Sequence, residues 1–299
     1  MRHSSYNSLT DELGSTMTSL AHSRSSHTGP ADFDIRDHVD GAAVFFGATA
    51  NVIMQLSLAP VGYGVAESRV HSGSIMLHPF KRTRTTITYL SVAMMGTDED
   101  RAAYRTAING AHRHVHSTPE SPVKYNAFDK NLQMWVAACL YWGSVDLMER
   151  LHGPIDDDTA DSFYEYAHRF GTTLQVPREM WPADRAAFEA YWTENLAETS
   201  VDDTIKAYFD GLLDLRMLYP PLRVVFARFH RWFTTGLLPE HLRNELGLTW
   251  TERDERRLAR LLRTTGAVWG RMPRPIRSFP FNATLADMRR RRRRGKPLI

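Results

Sequence analysis

The chain has 299 residues, 42% of them apolar and 11% aromatic, enough to build one large or two small domains around a buried core. Its single cysteine, Cys139, excludes an intramolecular disulfide, a CxxC metal knuckle and covalent haem attachment through C-x-x-C-H. The net charge of +3 hides an asymmetry: Arg289 to Arg294 and Lys296 carry seven positive charges, and without them the remainder has a net charge of −4. A mildly acidic body argues against a broad nucleic-acid surface, so no nucleic-acid partner is expected.

Residues 1–33 are rich in Ser, Thr, His and Gly and read as a disordered segment. They show no apolar signal region and no twin arginine, which places the protein in the cytoplasm as an expectation. Order is expected from residue 34 to 283. Gly41 to Ala66 has no charged residue, but Asn51, Gln55, Pro60 and four glycines break it, so two buried helical pieces are expected rather than a transmembrane span.

Lys81 to Met95 reads as a helix on which Arg82, Thr86, Tyr89 and Ala93 share one face. Thr97 with Asp98, Glu99 and Asp100 marks the next helix start, and that helix is expected to run to about His116. Ser117 to Lys124, with two prolines, breaks it. Asp129 caps a long helix, Asn131 to Leu151, stopped by Gly153-Pro154. Further helices are expected over 159–171, 182–196, 201–213, 220–235, 238–246 and 252–268. Almost nothing alternates with the period of a strand, so the fold class is all-α, a single domain of helices packed on helices. The Arg-rich stretch 284–299 reads as a solvated tail, with contact to an anionic membrane surface as the alternative.

Three histidines follow one another at His112, His114 and His116. Treated as helical, the apolar stripe Tyr104, Ile108, Ala111, Val115 is centred roughly 70° from His112 and about 90° from His114. Periodicity leaves the two level. A neutral imidazole on a rigid helix is the usual proximal ligand of haem iron. A competing metal reading rests on Glu149-Arg-Leu-His152 and Glu165-Tyr-Ala-His168, two E-x-x-H sequences with di-iron spacing. Such sites also need acids from two other helices, and their motifs usually lie further apart than these. Cys139 lies amid Trp135, Val136 and Leu140 without a Gly-rich loop, which favours packing over a thiolate ligand. Phe45, Phe46, Trp135 and Trp142 are candidates to line an apolar pocket.

Several segments in series resemble one family. They are Gln55-Leu-Ser-Leu-Ala-Pro60, Gly64-Val-Ala-Glu-Ser68, Pro79-Phe-Lys-Arg82-Thr-Arg-Thr-Thr86-Ile-Thr-Tyr89, Ala111-His112-Arg-His-Val115, Tyr125-Asn-Ala-Phe-Asp129, Trp135-Val-Ala-Ala, Val176-Pro177, Trp181-Pro182, Tyr191-Trp192 and Leu238-Pro-Glu-His-Leu-Arg243 through Trp250. The set is similar to the MpaB-type oxygenases, which share a catalytic domain with the bacterial latex-clearing rubber oxygenases. The resemblance implies a globin-like packing around non-covalent haem b, with His112 as iron ligand and Arg82 and Thr86 close to the haem. There a guanidinium can pair with a propionate or steady bound oxygen, and a hydroxyl can donate to oxygen. It also implies an apolar small-molecule or isoprenoid substrate, dioxygen as co-substrate and an electron donor of unknown identity. Glu67 stands where a distal acid or base is suggested by the rubber oxygenases. The chain departs from the pattern at Thr85, where latex-clearing enzymes carry a lysine, and at Glu67 and Ala137, where relatives commonly carry histidine. Three readings follow: a haem oxygenase, a non-haem di-iron oxygenase, and a haem-binding sensor or carrier without turnover.

Overall fold

The structure, a computed structural model, describes residues 33–299, and Asp34 to Ile299 form one compact unit. The expected disorder of residues 1–33 falls, but for Phe33, outside the described residues. Within them the chain is helical, with one isolated β-bridge, His116 to Asn126, in place of any strand.

The apolar, charge-free segment forms α2 (Gly41–Leu56) and α3 (Ala59–Ala66), after a single-turn α1 (Ile35–His38). Asp40 caps α2 by accepting from the Ala42 N–H, and Pro60 sits in the first turn of α3, where its missing N–H costs nothing. The two helices meet at 109°, and no helix among the described residues is by itself long and apolar enough to cross a membrane. Next come α4 (Pro79–Met95) and α5 (Asp98–His112), the latter opened by a capping box between Thr97 and Asp100.

The long helix α6 (Lys130–His152) starts where Asp129 accepts from the N–H groups of Asn131 and Leu132, and it ends at Gly153, whose φ of 96° suits glycine. Then follow α7 (Asp157–Ala167), α8 (Arg169–Thr172), α9 (Arg185–Ala197), α10 (Asp203–Leu213), α11 (Pro220–Leu237), α12 (Glu240–Glu245), α13 (Glu252–Trp269), α14 (Arg274–Arg277) and α15 (Phe281–Arg293).

Helix α6 is the spine, with α2 on one flank and α13 on another. The α13 crossing is close because Gly266 lies on it: a Cβ there would sit 1.9 Å from the Leu151 carbonyl oxygen. Arg150 ties the same crossing by binding Asp146 on its own helix and Glu255 on α13. A second group, α4, α5 and α15, packs apart from that spine, joined to it through α8.

Two expectations are corrected. Helix α5 stops at His112 rather than near His116, because the backbone beyond it pairs elsewhere: Ala127 N–H donates to the Val115 carbonyl and Ser117 N–H to the Tyr125 carbonyl. These bonds satisfy groups that a continued helix would have used. The Arg-rich stretch is also no solvated tail up to Arg293. Helix α15 runs through the boundary expected at residue 283 and lies along α4. Arg289 (2.7 Å) and Arg292 (3.1 Å) both bind Asp100, a carboxylate whose side chain is only 5% exposed, and Arg290 and Arg291 bind Asp287.

Hydrogen bonds to a charged group contribute roughly 1.5–3 kcal/mol each, and Asp100 is nearly sealed while its arginines still reach water. Asp100→Ala is therefore expected to lower the unfolding free energy by about 2 kcal/mol, read as a reduced midpoint in urea; the exposed Asp98→Ala should change it by less than about 0.5 kcal/mol.

Candidate functional site

Between the α6 spine and the α4–α5 pair lies a cavity of about 690 Å³, within the range of about 300–1,000 Å³ usual for cofactor and small-molecule sites. Ala50 and Met54 of α2, Val136 and Leu140 of α6, Phe170 of α8 and Leu212 of α10 give it an apolar wall. Polar groups on α4 and α5, Arg82, Thr86 and His112 among them, line it as well.

The stripe Tyr104, Ile108, Ala111 and Val115 faces this cavity as a set, with His112 beside it. The His112 ring makes no hydrogen bond to the protein: its Nδ1 is buried without a partner. Buried polar atoms are nearly always paired, so an orphaned imidazole on a cavity wall marks a place built for something else. Burial, helped by the nearby Arg82 guanidinium, pushes its pKa down to about 4. The ring is held neutral at physiological pH. Edge contact with Phe128, at 6.2 Å between centroids, limits its rotation.

Geometry separates the three histidines that helical spacing could not. His114 and His116 lie past the helix end, both exposed and neither on the cavity wall.

From α4, Arg82, Thr86, Tyr89 and Leu90 line the same cavity, as the shared helical face implies. Arg82 lines the cavity among closely packed protein atoms; desolvation lowers its pKa, and as an arginine it stays charged. Its guanidinium has no carboxylate and no hydrogen-bond partner among the described residues. Thr86 likewise spends its hydroxyl on nothing, unlike Thr85 and Thr88, whose hydroxyls bond back to carbonyls of their own helix. Tyr104 donates to the Thr85 carbonyl at 2.8 Å and Tyr89 to that of Phe170, which fixes those two rings as wall.

One cavity residue carries no signal in the sequence. Tyr208, on α10, faces the same space beside Arg82, and its hydroxyl has no partner.

Glu67 is not brought to the wall. It stands exposed at the end of α3, accepting from Ser121 (2.7 Å) and Tyr125 (2.9 Å), and only the Tyr125 ring reaches the cavity. Of the four aromatic residues considered for the pocket, Phe45 and Trp142 line it, while Trp135 and Phe46 are packing, the first stacked on Trp192 and the second against Phe233.

The E-x-x-H elements do not converge. His152 binds Asp40 at 2.7 Å, His168 bonds the Glu165 carbonyl, Glu165 pairs with Arg178, and Glu149 is exposed. Among the described residues no three His, Cys, Asp or Glu side chains gather in a metal-binding arrangement. Cys139 is buried in packing, and that burial raises its thiol pKa.

No solved structure matches the chain significantly. Two uncharacterized proteins, from Mycobacterium bovis and Mycobacterium tuberculosis H37Rv, are each 47% identical over 250 residues, covering 84% of this chain and 98% of the relative. Residues 35–267 match the model described as ER-bound oxygenase mpaB/B′/Rubber oxygenase, catalytic domain. This span holds every cavity residue discussed above, and the chain belongs to that family of oxygenase catalytic domains.

Proposed function

We propose that this oxygenase is haem b-dependent, with the haem enclosed by helices in a globin-like manner and the iron held by His112. The observation that carries this reading is the unpaired, neutral imidazole of His112 on a cofactor-sized apolar cavity that also presents an unpaired guanidinium and an unpaired hydroxyl. A neutral ring on a rigid helix end is what iron ligation needs. The residues present therefore fit the group.

Bound there, haem would supply dioxygen activation and one-electron chemistry. The chain supplies the rest. Arg82 offers a permanent cation, without a competing carboxylate, to an anionic group such as a propionate. Thr86 offers a hydroxyl proton to an oxygen atom within the cavity, where low dielectric strengthens the bond. The apolar walls from α2, α6 and α8 exclude water and suit an apolar small molecule, an isoprenoid with a carbon–carbon double bond among them. Electrons come from an external donor. Glu67 enters this scheme through Tyr125, whose hydroxyl it holds, rather than by reaching the cavity itself.

Absorption spectroscopy with oxygen consumption tests the assignment. Purified protein is expected to show a Soret band and to consume oxygen with a reductant and an apolar alkene pool; a band without consumption would instead identify a sensor or carrier. Arg82→Leu and Thr86→Val are each expected to retain the band while lowering oxygen consumption by about 10²-fold, the usual loss when a preorganised donor is removed.

A further inference from the structure

The first two turns of α11 leave the protein bare. From Pro220 to Phe226 every residue is exposed, and Val224 reaches 78%. Leu222 to Phe226 alone span more than one turn, so all faces of the helix meet solvent, and four of the five side chains there are apolar: Leu222, Val224, Val225 and Phe226. Exposed apolar patches of this kind in a folded chain mark an interaction site.

Charge and shape select the partner. Between Leu215 and Pro239 there is no acidic residue. Arg223 and Arg228 project from the apolar turns without any ion pair, whereas Arg231, at the packed end, is held by Asp210 and Asp214. A lipid interface can take up a helix end that is apolar on several faces, and long arginine stems reach phosphate groups from an apolar depth.

We propose that the Tyr219–Phe229 end of α11 inserts into the surface of an anionic lipid bilayer. The Arg-rich C-terminal helix is a poorer candidate, since Arg289 to Arg292 are engaged with Asp100 and Asp287 inside the fold. The inserted end adjoins the cavity through Met217, two residues before Tyr219, which lines it; the half-exposed Phe45 lines the same cavity. An apolar compound dissolved in lipid would then meet the cavity mouth without crossing water. The surface assignment holds whether or not the cavity carries haem.

Flotation of the full chain with vesicles tests it. The protein is expected to float with phosphatidylcholine–phosphatidylglycerol vesicles and much less with phosphatidylcholine alone. Val224→Asp/Phe226→Asp, both at exposed positions, should reduce binding at least tenfold, with an unchanged circular dichroism spectrum. Arg223→Gln and Arg228→Gln should each weaken binding to the mixed vesicles by about fivefold. Absence of flotation, or flotation indifferent to both sets of variants, overturns the proposal. So does a wild-type dimer in size-exclusion chromatography that the double variant converts to monomer, because the face then belongs to a second copy.

Discussion

His112→Ala is expected to abolish the Soret band and with it oxygen consumption, whereas His114→Ala, a change at an exposed residue off the cavity wall, leaves both intact. The contrast follows from position: one ring is an orphan on the cavity, the other stands in solvent past the helix end. An unchanged spectrum in His112→Ala refutes the ligand assignment. Acid titration adds a second reading. Burial, with help from Arg82, depresses the His112 pKa to about 4, so the fold favours the neutral ring that ligates. Ligation should therefore survive at pH 5.5, where an ordinary histidine is already protonated, and fail only as pH falls towards 4. The sign for stability is the same. Between about 6.5 and about 4 the unfolded chain binds a proton that the folded ring refuses, so this group makes stability fall as pH falls through that window.

Much of this site was legible because helical period is a local signal. Arg82, Thr86 and Tyr89 were placed on one face of α4, and Tyr104, Ile108, Ala111 and Val115 on one face of α5, and both faces do line the cavity. What failed was decided by contacts distant in sequence. The end of α5 depends on backbone bonds from 115 and 117 to 127 and 125, which no window around His112 contains. A run of arginines looks solvated until Asp100, 189 residues away from Arg289, is known to be buried beneath it. Tyr208 is one tyrosine among eleven, and only the packing of α10 brings it beside Arg82. Glu67 shows the converse: the family pattern suggested a distal acid, but the turn ending α3 directs its carboxylate to Ser121 and Tyr125.

Trp135→Ala should destabilise the protein by about 4 kcal/mol, since truncating a fully enclosed tryptophan costs about 3–5 kcal/mol in lost transfer energy and residual cavity. The ring is completely buried, lies 5.3 Å from Trp192 at 11° between planes, and Trp192 in turn stacks on Trp142 at 4.9 Å. It also donates Nε1–H to the Gln55 carbonyl at 3.1 Å, in the last turn of α2 just before the 109° bend. Carbonyls at a helix end lack partners further along the chain, so this bond serves α2 as well as packing α6 against it. Trp135→Phe keeps a ring in the stack but leaves that carbonyl without its donor, and an intermediate loss of about 2 kcal/mol is expected. Urea unfolding followed by circular dichroism measures both; a loss below about 1 kcal/mol for the alanine variant would contradict the packing account. Because Trp142 lines the cavity and Trp135 does not, the alanine variant should also loosen the cavity wall from behind. If haem occupies that space, its affinity should fall in Trp135→Ala while the position of its Soret band stays the same, since the iron ligand on α5 is untouched.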